Sequence, residues 1–144
     1  MRYVDWLKKK NKNVCPFCNL KKSEILKANK SADIILSRAR YHKDHLLIIP
    51  KKHVEKISEL TKKEKEDFIN LFSKGMAALH KKYENIGVIY REGNLKKIGK
   101  SIEHMHFHLI PNTCVGPKKS TNGRMFFKEK VYIKKTQEMK KELF

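Results

Sequence analysis

From Ile102 to Pro111 the chain reads Ile-Glu-His-Met-His-Phe-His-Leu-Ile-Pro. His104, His106 and His108 alternate with Met105, Phe107 and Leu109. A strand has a side-chain period of two, so this spacing puts three imidazoles on one face and three apolar side chains on the other. A helix would scatter the rings, because positions i and i+2 do not share a face. The pattern predicts a strand with one face on a core and one on a cleft, ended by Pro111.

The rest of the chain supplies elements to support such a strand. Ile25 and Leu26 predict a strand over 24–28, and Ile34, Ile35 and Leu36 predict one over 32–38. Arg40 to Asp44 reads as a turn. His45 to Ile49 is almost wholly apolar, which suits a central strand, and Pro50 stops it. Thr61 to Asn85 reads as the long helix. Thr61 and Glu64 form a capping-box pattern, and Phe68, Leu71, Phe72, Met76, Leu79 and Tyr83 recur every three or four residues. Gly75 inside this stripe costs about 1 kcal/mol relative to alanine. Gly87 falls where a helix-ending glycine is expected.

Residues 87–91 read as a further strand and 92–100 as a loop. A polar loop to Asn122 follows Pro111, and Phe126 to Ile133 reads as a strand. Tyr3, Trp6 and Leu7 predict a short helix over 3–9, and the last ten residues predict another. Short turns between successive strands point to an antiparallel sheet of about five strands with one long helix and short terminal elements, an α+β fold. A length of 144 residues fits one domain, 1–144.

Composition adds a strong charge. Charged residues make up 34%, the net charge is +19, and such a field attracts polyanions. Only five of the 34 basic residues are arginine, however, and the lysines are spread over every segment, including 8–12 and 117–122. That distribution reads as a compositional habit more than a built groove. No apolar run approaches the roughly 20 residues of a membrane span, and the N-terminus is charged at once. The expectation is a soluble, cytoplasmic protein with no membrane partner. Cys15, Cys18 and Cys114 do not form a disulfide framework.

Three imidazoles on one face are costly unless they bind something. They suit either a catalytic zinc triad or a histidine nucleophile at phosphorus, flanked by groups that hold phosphate oxygens. The preceding loop favours the second: Gly93, Gly99 and Ser101 bring backbone donors and a hydroxyl near the histidines. Gly99-Lys100-Ser101 is not the end of a P-loop, since the glycine spacing is wrong and a strand follows. Cys15-Pro16-Phe17-Cys18 can present two thiolates to one metal, usually zinc. A redox pair and incidental thiols are the other readings. His80 lies off the helix stripe and reads as solvated.

Gly-x-Ser-x-x-His-x-His-x-His-Leu-Ile-Pro, as it stands at 99–111, resembles the signature of the histidine-triad (HIT) family of nucleotide hydrolases and transferases. His45-Leu-Leu-Ile-Ile-Pro-Lys-Lys-His53 is similar to that family's second motif, and the cysteine pair is similar to its zinc-binding branch. The resemblance spans about 14–112 and leaves 113–144 as an extension. It implies a homodimer and a nucleotide substrate.

It also implies that His106 attacks the α-phosphorus and forms a nucleotidyl-histidine, that His108 and Ser101 hold the phosphoryl oxygens, and that His45 supports them. For a neutral His106 to attack, its second nitrogen must donate a hydrogen bond, as to a backbone carbonyl. In the zinc branch, Cys15, Cys18, His53 and His104 would form a closed structural Cys₂His₂ site. A finger-type set using His42 and His45 has the wrong spacing. Asn94 matches the family's asparagine ahead of the glycine loop if that loop is one residue short. Lys100 replaces a frequent glutamine and bears on the leaving group. Ser37 falls at the ribose-binding position, and Leu36 and Ile25 fall where a base pocket would be lined.

The function implied is hydrolysis of nucleoside phosphoanhydrides or phosphoramidates, of the dinucleoside polyphosphate or adenylate type. A nucleotidyltransferase or phosphorylase on the same site is the alternative. A nucleotide- or nucleic-acid-binding module that removes adenylate from DNA ends is a further one, which the charge motivates and the lack of an appended finger disfavours.

Overall fold

The computed structural model describes residues 15–93, 102–112 and 125–144, with the side chain of Met125 excepted. The expected helix over 3–9, the lysine stretches 8–12 and 117–122, and Cys114 lie outside the described residues. Among the described residues, two short 3₁₀ turns, Lys22–Glu24 and Ile57–Glu59, accompany seven strands and two helices: β1 Ile25–Ala28, β2 Ala32–Leu36, β3 Ala39–Arg40, β4 Leu46–Pro50, α1 Lys62–His80, β5 Ile86–Tyr90, β6 Phe107–Pro111, β7 Met125–Phe126 and α2 Glu129–Leu143. Five strands form one sheet in the order β1-β2-β4-β6-β5. Every neighbouring pair in it is antiparallel. The α+β expectation therefore holds. β3 and β7 form a separate two-stranded ladder.

β4 is central and all five of its residues are buried, as its continuous apolar run predicts. On one face Ile34, Leu36, Leu46, Ile48 and Leu109 pack with Phe68, Leu71 and Leu79 of α1 in a single core. α1 starts where the capping box places it: Thr61 Oγ1 accepts the Glu64 amide, and the Glu64 carboxylate accepts the Thr61 amide. Gly75 is explained by packing. A Cβ there would stand 3.1 Å from both Ile48 Cδ1 and Leu109 Cδ2, so the missing side chain lets helix and sheet approach closely.

Three expectations are corrected. α1 stops at His80, not Asn85, and Gly87 lies inside β5 instead of ending the helix. His80 Nδ1 donates to the Tyr83 carbonyl at 3.0 Å and so closes the helix end. The span 126–133 is mostly not a strand: β7 covers two residues and α2 begins at Glu129. Val131 and Ile133 favour a strand locally, but Tyr132, Thr136, Met139 and Leu143 are the buried positions, at spacings of four, three and four, and that helical stripe packs into the core. The triad is also not wholly on a strand, because β6 begins at Phe107. The approach to β6 is held by the Met105 amide on the Val54 carbonyl at 2.7 Å, in place of ladder bonds.

No helix among the described residues is long and apolar enough to cross a membrane.

Candidate active site and metal cluster

The sheet face opposite α1 carries a small apolar patch of Ile35, Leu47 and Ile49, with Phe17, Leu20 and Ile25 against it. The histidines gather beside this patch. His108 on β6 pairs with Leu47 on β4 and with Ile89 on β5, which fixes its place in the sheet. The alternation survives the short strand: Met105 and Leu109 are fully buried in the helix-side core, and Phe107 meets Phe68 and Phe72 edge-on.

The hydrogen bonds determine which nitrogen of each ring holds a proton. A carbonyl can only accept, so His106 Nδ1 carries the proton that it donates to the His104 carbonyl at 2.7 Å. Neutral His106 then has its lone pair on Nε2. The Tyr41 amide donates to His45 Nδ1 at 3.2 Å, so His45 carries its proton on Nε2. That nitrogen lies 2.9 Å from His108 Nδ1 and donates to it. His108 is thereby left with its own proton on Nε2. The rings of His106 and His108 are 4.8 Å apart, so a lone pair and an N–H donor stand side by side.

His104 faces the cysteines. Its Nε2–H donates to the Pro50 carbonyl at 2.7 Å, which leaves Nδ1 as an electron-pair donor. Nδ1 is 3.5 Å from the sulfurs of both Cys15 and Cys18. His53 Nδ1 is 3.1 Å from Cys18 Sγ. The donor atoms of Cys15, Cys18, His53 and His104 all lie within 4.8 Å of one another, and the two cysteines are not disulfide-bonded. Two sulfurs, two imidazole nitrogens and an outer carbonyl that orients one ring make a donor set that fits a tetrahedral metal. Desolvation and the adjacent Cys15 thiol push the Cys18 thiol up to about 11, so it would coordinate once a cation competes for its proton. Phe17, between the cysteines, stands edge-on to His106 at 5.1 Å and to His104 at 5.8 Å.

Not every expected residue reaches this face. Leu36 is fully buried in the helix-side core, because strand alternation sends it opposite to Ile35. Ile25 does lie on the histidine face. Ser37 is buried and its hydroxyl donates to the Ala39 carbonyl at 3.0 Å, so its proton serves the turn. Asn94, Gly99, Lys100 and Ser101 lie outside the described residues; Gly93 is described, with a positive φ of 118°. Sequence reasoning missed Phe17, Tyr41 and the Pro50 carbonyl. Phe17 had a visible signal in its place between the two cysteines, whereas a backbone acceptor has none.

The sheet carries its histidine row on the face away from its long helix, beside Phe17. Residues 20–114 match the family described as the HIT domain, and the chain belongs to that family. It is 33% identical over 102 residues to an adenosine 5′-monophosphoramidase of Schizosaccharomyces pombe, covering 67% of this chain and 73% of that one. It is 31% identical over 101 residues to the Bacillus subtilis protein hit, covering 67% and 70%. Among solved structures, a zinc-bound histidine-triad protein of Mycobacterium smegmatis superimposes with a TM-score of 0.64 at 15% identity, over 90% of this chain and 92% of that one.

Proposed function

We propose that this HIT-type hydrolase cleaves nucleoside phosphoanhydrides or phosphoramidates through a covalent nucleotidyl-histidine on His106. The supporting observation is the pair of bonds that leaves a lone pair on His106 Nε2 beside an N–H on His108 Nε2. His106 Nε2 would form a bond to the α-phosphorus as the bond to the leaving oxygen or nitrogen breaks. The imidazolium that results shares its charge with the His104 carbonyl through Nδ1–H. His108, oriented by His45, would donate to a phosphoryl oxygen as charge builds there, and Ser101 is its proposed companion. Water then attacks the same phosphorus, the P–N bond to His106 breaks, and a nucleoside monophosphate departs. Fixed rings supply positioning and electrostatics, which carry most of phosphoryl transfer. A transferase on the same site would differ only in the second acceptor.

Zinc is the proposed occupant of Cys15, Cys18, His53 and His104. With four protein ligands and no open position, it would stabilise the fold and take no part in the chemistry. The four residues would tie the N-terminal turn to His104, whose carbonyl orients His106. A homodimer is proposed as well, supported by β5 lying at the edge of the sheet with Val88 exposed.

The test is turnover of adenosine 5′-monophosphoramidate and diadenosine triphosphate, with capture of labelled enzyme in an alkaline denaturing quench. Wild type should accumulate an acid-labile, base-stable nucleotidyl adduct that His106→Ala lacks. Equal hydrolysis by the two proteins would overturn the mechanism.

A further inference from the structure

α2 lies beyond residues 20–114, the span that matches the family. It nevertheless reaches the turn that carries His45. Asp44, immediately before that histidine, is fully buried. Its carboxylate accepts the Tyr83 hydroxyl from the segment after α1. The Lys135 ammonium of α2 stands 3.1 Å from the other carboxylate oxygen, and Lys82 stands 3.6 Å from the oxygen that Tyr83 bonds. Burial pulls this carboxyl up, but Tyr83, Lys135 and Lys82 together outweigh burial and hold it below its ordinary value. It is therefore an anion at neutral pH, enclosed by α2 and the segment that follows α1. His42 packs edge-on against Tyr83 at 5.1 Å and accepts the Asp44 amide on Nδ1 at 3.0 Å. Glu142 of α2 shares Lys82 at 3.0 Å.

The same turn fixes His45. Its amide donates to the His42 carbonyl at 3.1 Å, and its carbonyl accepts the Ser37 amide at 2.8 Å. The Tyr41 amide occupies its Nδ1, and this contact assigns the proton to Nε2, facing His108. A small displacement of the turn would free Nδ1 and let the proton exchange between the two nitrogens. α2 also grips the other end of the β2–β4 connection. The Tyr132 hydroxyl donates to the Leu36 carbonyl at 2.7 Å, and Arg38 lies over the Tyr132 ring while bonding Glu24 and Glu129. The connection from 37 to 45 is thus clamped at both ends by one helix.

We propose that Asp44 is a positioning residue of the site, and that α2 works in the reaction through Lys135 by holding the 41–45 turn in the form that keeps the His45 proton on Nε2, directed at His108. The inference rests on the hydrolase reading for its effect on turnover, and on geometry alone for its effect on His45.

The experiment uses the full chain with Lys135→Met, Lys135→Arg, Asp44→Asn and Tyr83→Phe. Two signals are read: kcat and KM for adenosine 5′-monophosphoramidate, and the ¹⁵N resonances of His45 and His108. Wild type should show a distinct unprotonated Nδ1 on His45. Lys135→Met and Asp44→Asn should shift that resonance toward the exchange average and lower kcat about 10- to 100-fold, the scale of a misplaced catalytic group. KM should change less than about threefold, and Lys135→Arg should recover most of kcat because it restores the cation. Tyr83→Phe keeps both ion pairs, so it reports even where Asp44→Asn fails to fold, and it should give a smaller shift in the same direction. Folded Lys135→Met and Tyr83→Phe proteins with the wild-type His45 resonance and wild-type kcat would overturn the proposal. Wild-type protein without turnover would overturn the hydrolase reading alone, and the His45 resonance would still decide the role of Asp44.

Discussion

The two faces of the central sheet are built from the same strands and behave differently. Toward α1, Ile34, Ile48 and Leu109 meet Phe68, Leu71 and the bare backbone of Gly75 in a dry core. On the other face, Ile35, Leu47 and Ile49 form only a small patch, and buried histidines lie beside it. The helix side is non-directional: any side chain of the right volume that excludes water would serve. The histidine side is directional. Each ring has a partner that selects its tautomer, and in two cases the partner is a backbone carbonyl that mutation cannot remove. The apolar core and the proposed site are therefore separated across a single layer of backbone.

The largest effect expected from this separation is on turnover. His106→Ala should lower kcat by about 10⁴-fold or more, the scale of losing a nucleophile, while thermal unfolding stays near wild type. A variant that unfolds instead would erase the distinction between the faces. Phe68→Ala is the converse case. Phe68 is fully buried and meets Phe107 edge-on at 4.8 Å, so truncation should cost about 3–5 kcal/mol in chemical denaturation. In the molecules that remain folded, kcat should hold.

The cluster of Cys15, Cys18, His53 and His104 sits between these extremes. Metal analysis should find one zinc per wild-type chain and little in Cys18→Ser, and a strong chelator should lower the melting temperature of wild type only. Equal metal content in both proteins would remove the Cys₂His₂ assignment.

Acid should separate Asp44 from the neutral core. Its folded pKa lies below the unfolded value, so its contribution is complete above about pH 3.9 and is lost as pH falls through the lower folded value. Melting temperature should drop more steeply below pH 4 in wild type than in Asp44→Asn. The smallest effect is at the helix cap, where Thr61→Ala should cost about 1 kcal/mol without altering kcat.

The signals that read correctly were local and periodic. The Thr61–Glu64 box located the start of α1, and the continuous apolar run at 46–49 placed β4 in the middle of the sheet. The alternation at 104–109 separated histidines from core residues even though the strand begins only at Phe107. The errors arose where long-range packing outweighed local preference. Val131 and Ile133 suggest a strand, and the stripe led by Tyr132 is buried as a helix. Leu36 looked available to a base pocket, but the parity of β2 sends Ile35 to that face instead.

By itself the sequence determined the family, the period of its main elements and the set of histidines and cysteines that the fold brings together, because these are properties of spacing along the chain. Tertiary structure alone decided which nitrogen of each ring holds a proton, since the partners of His45, His104 and His106 include the Tyr41 amide and the Pro50 and His104 carbonyls, and backbone groups carry no sequence signature. It also decided where the C-terminal segment packs. Lys135 and Asp44 are ninety-one positions apart in sequence, and only the packing of α2 brings their charges to 3.1 Å.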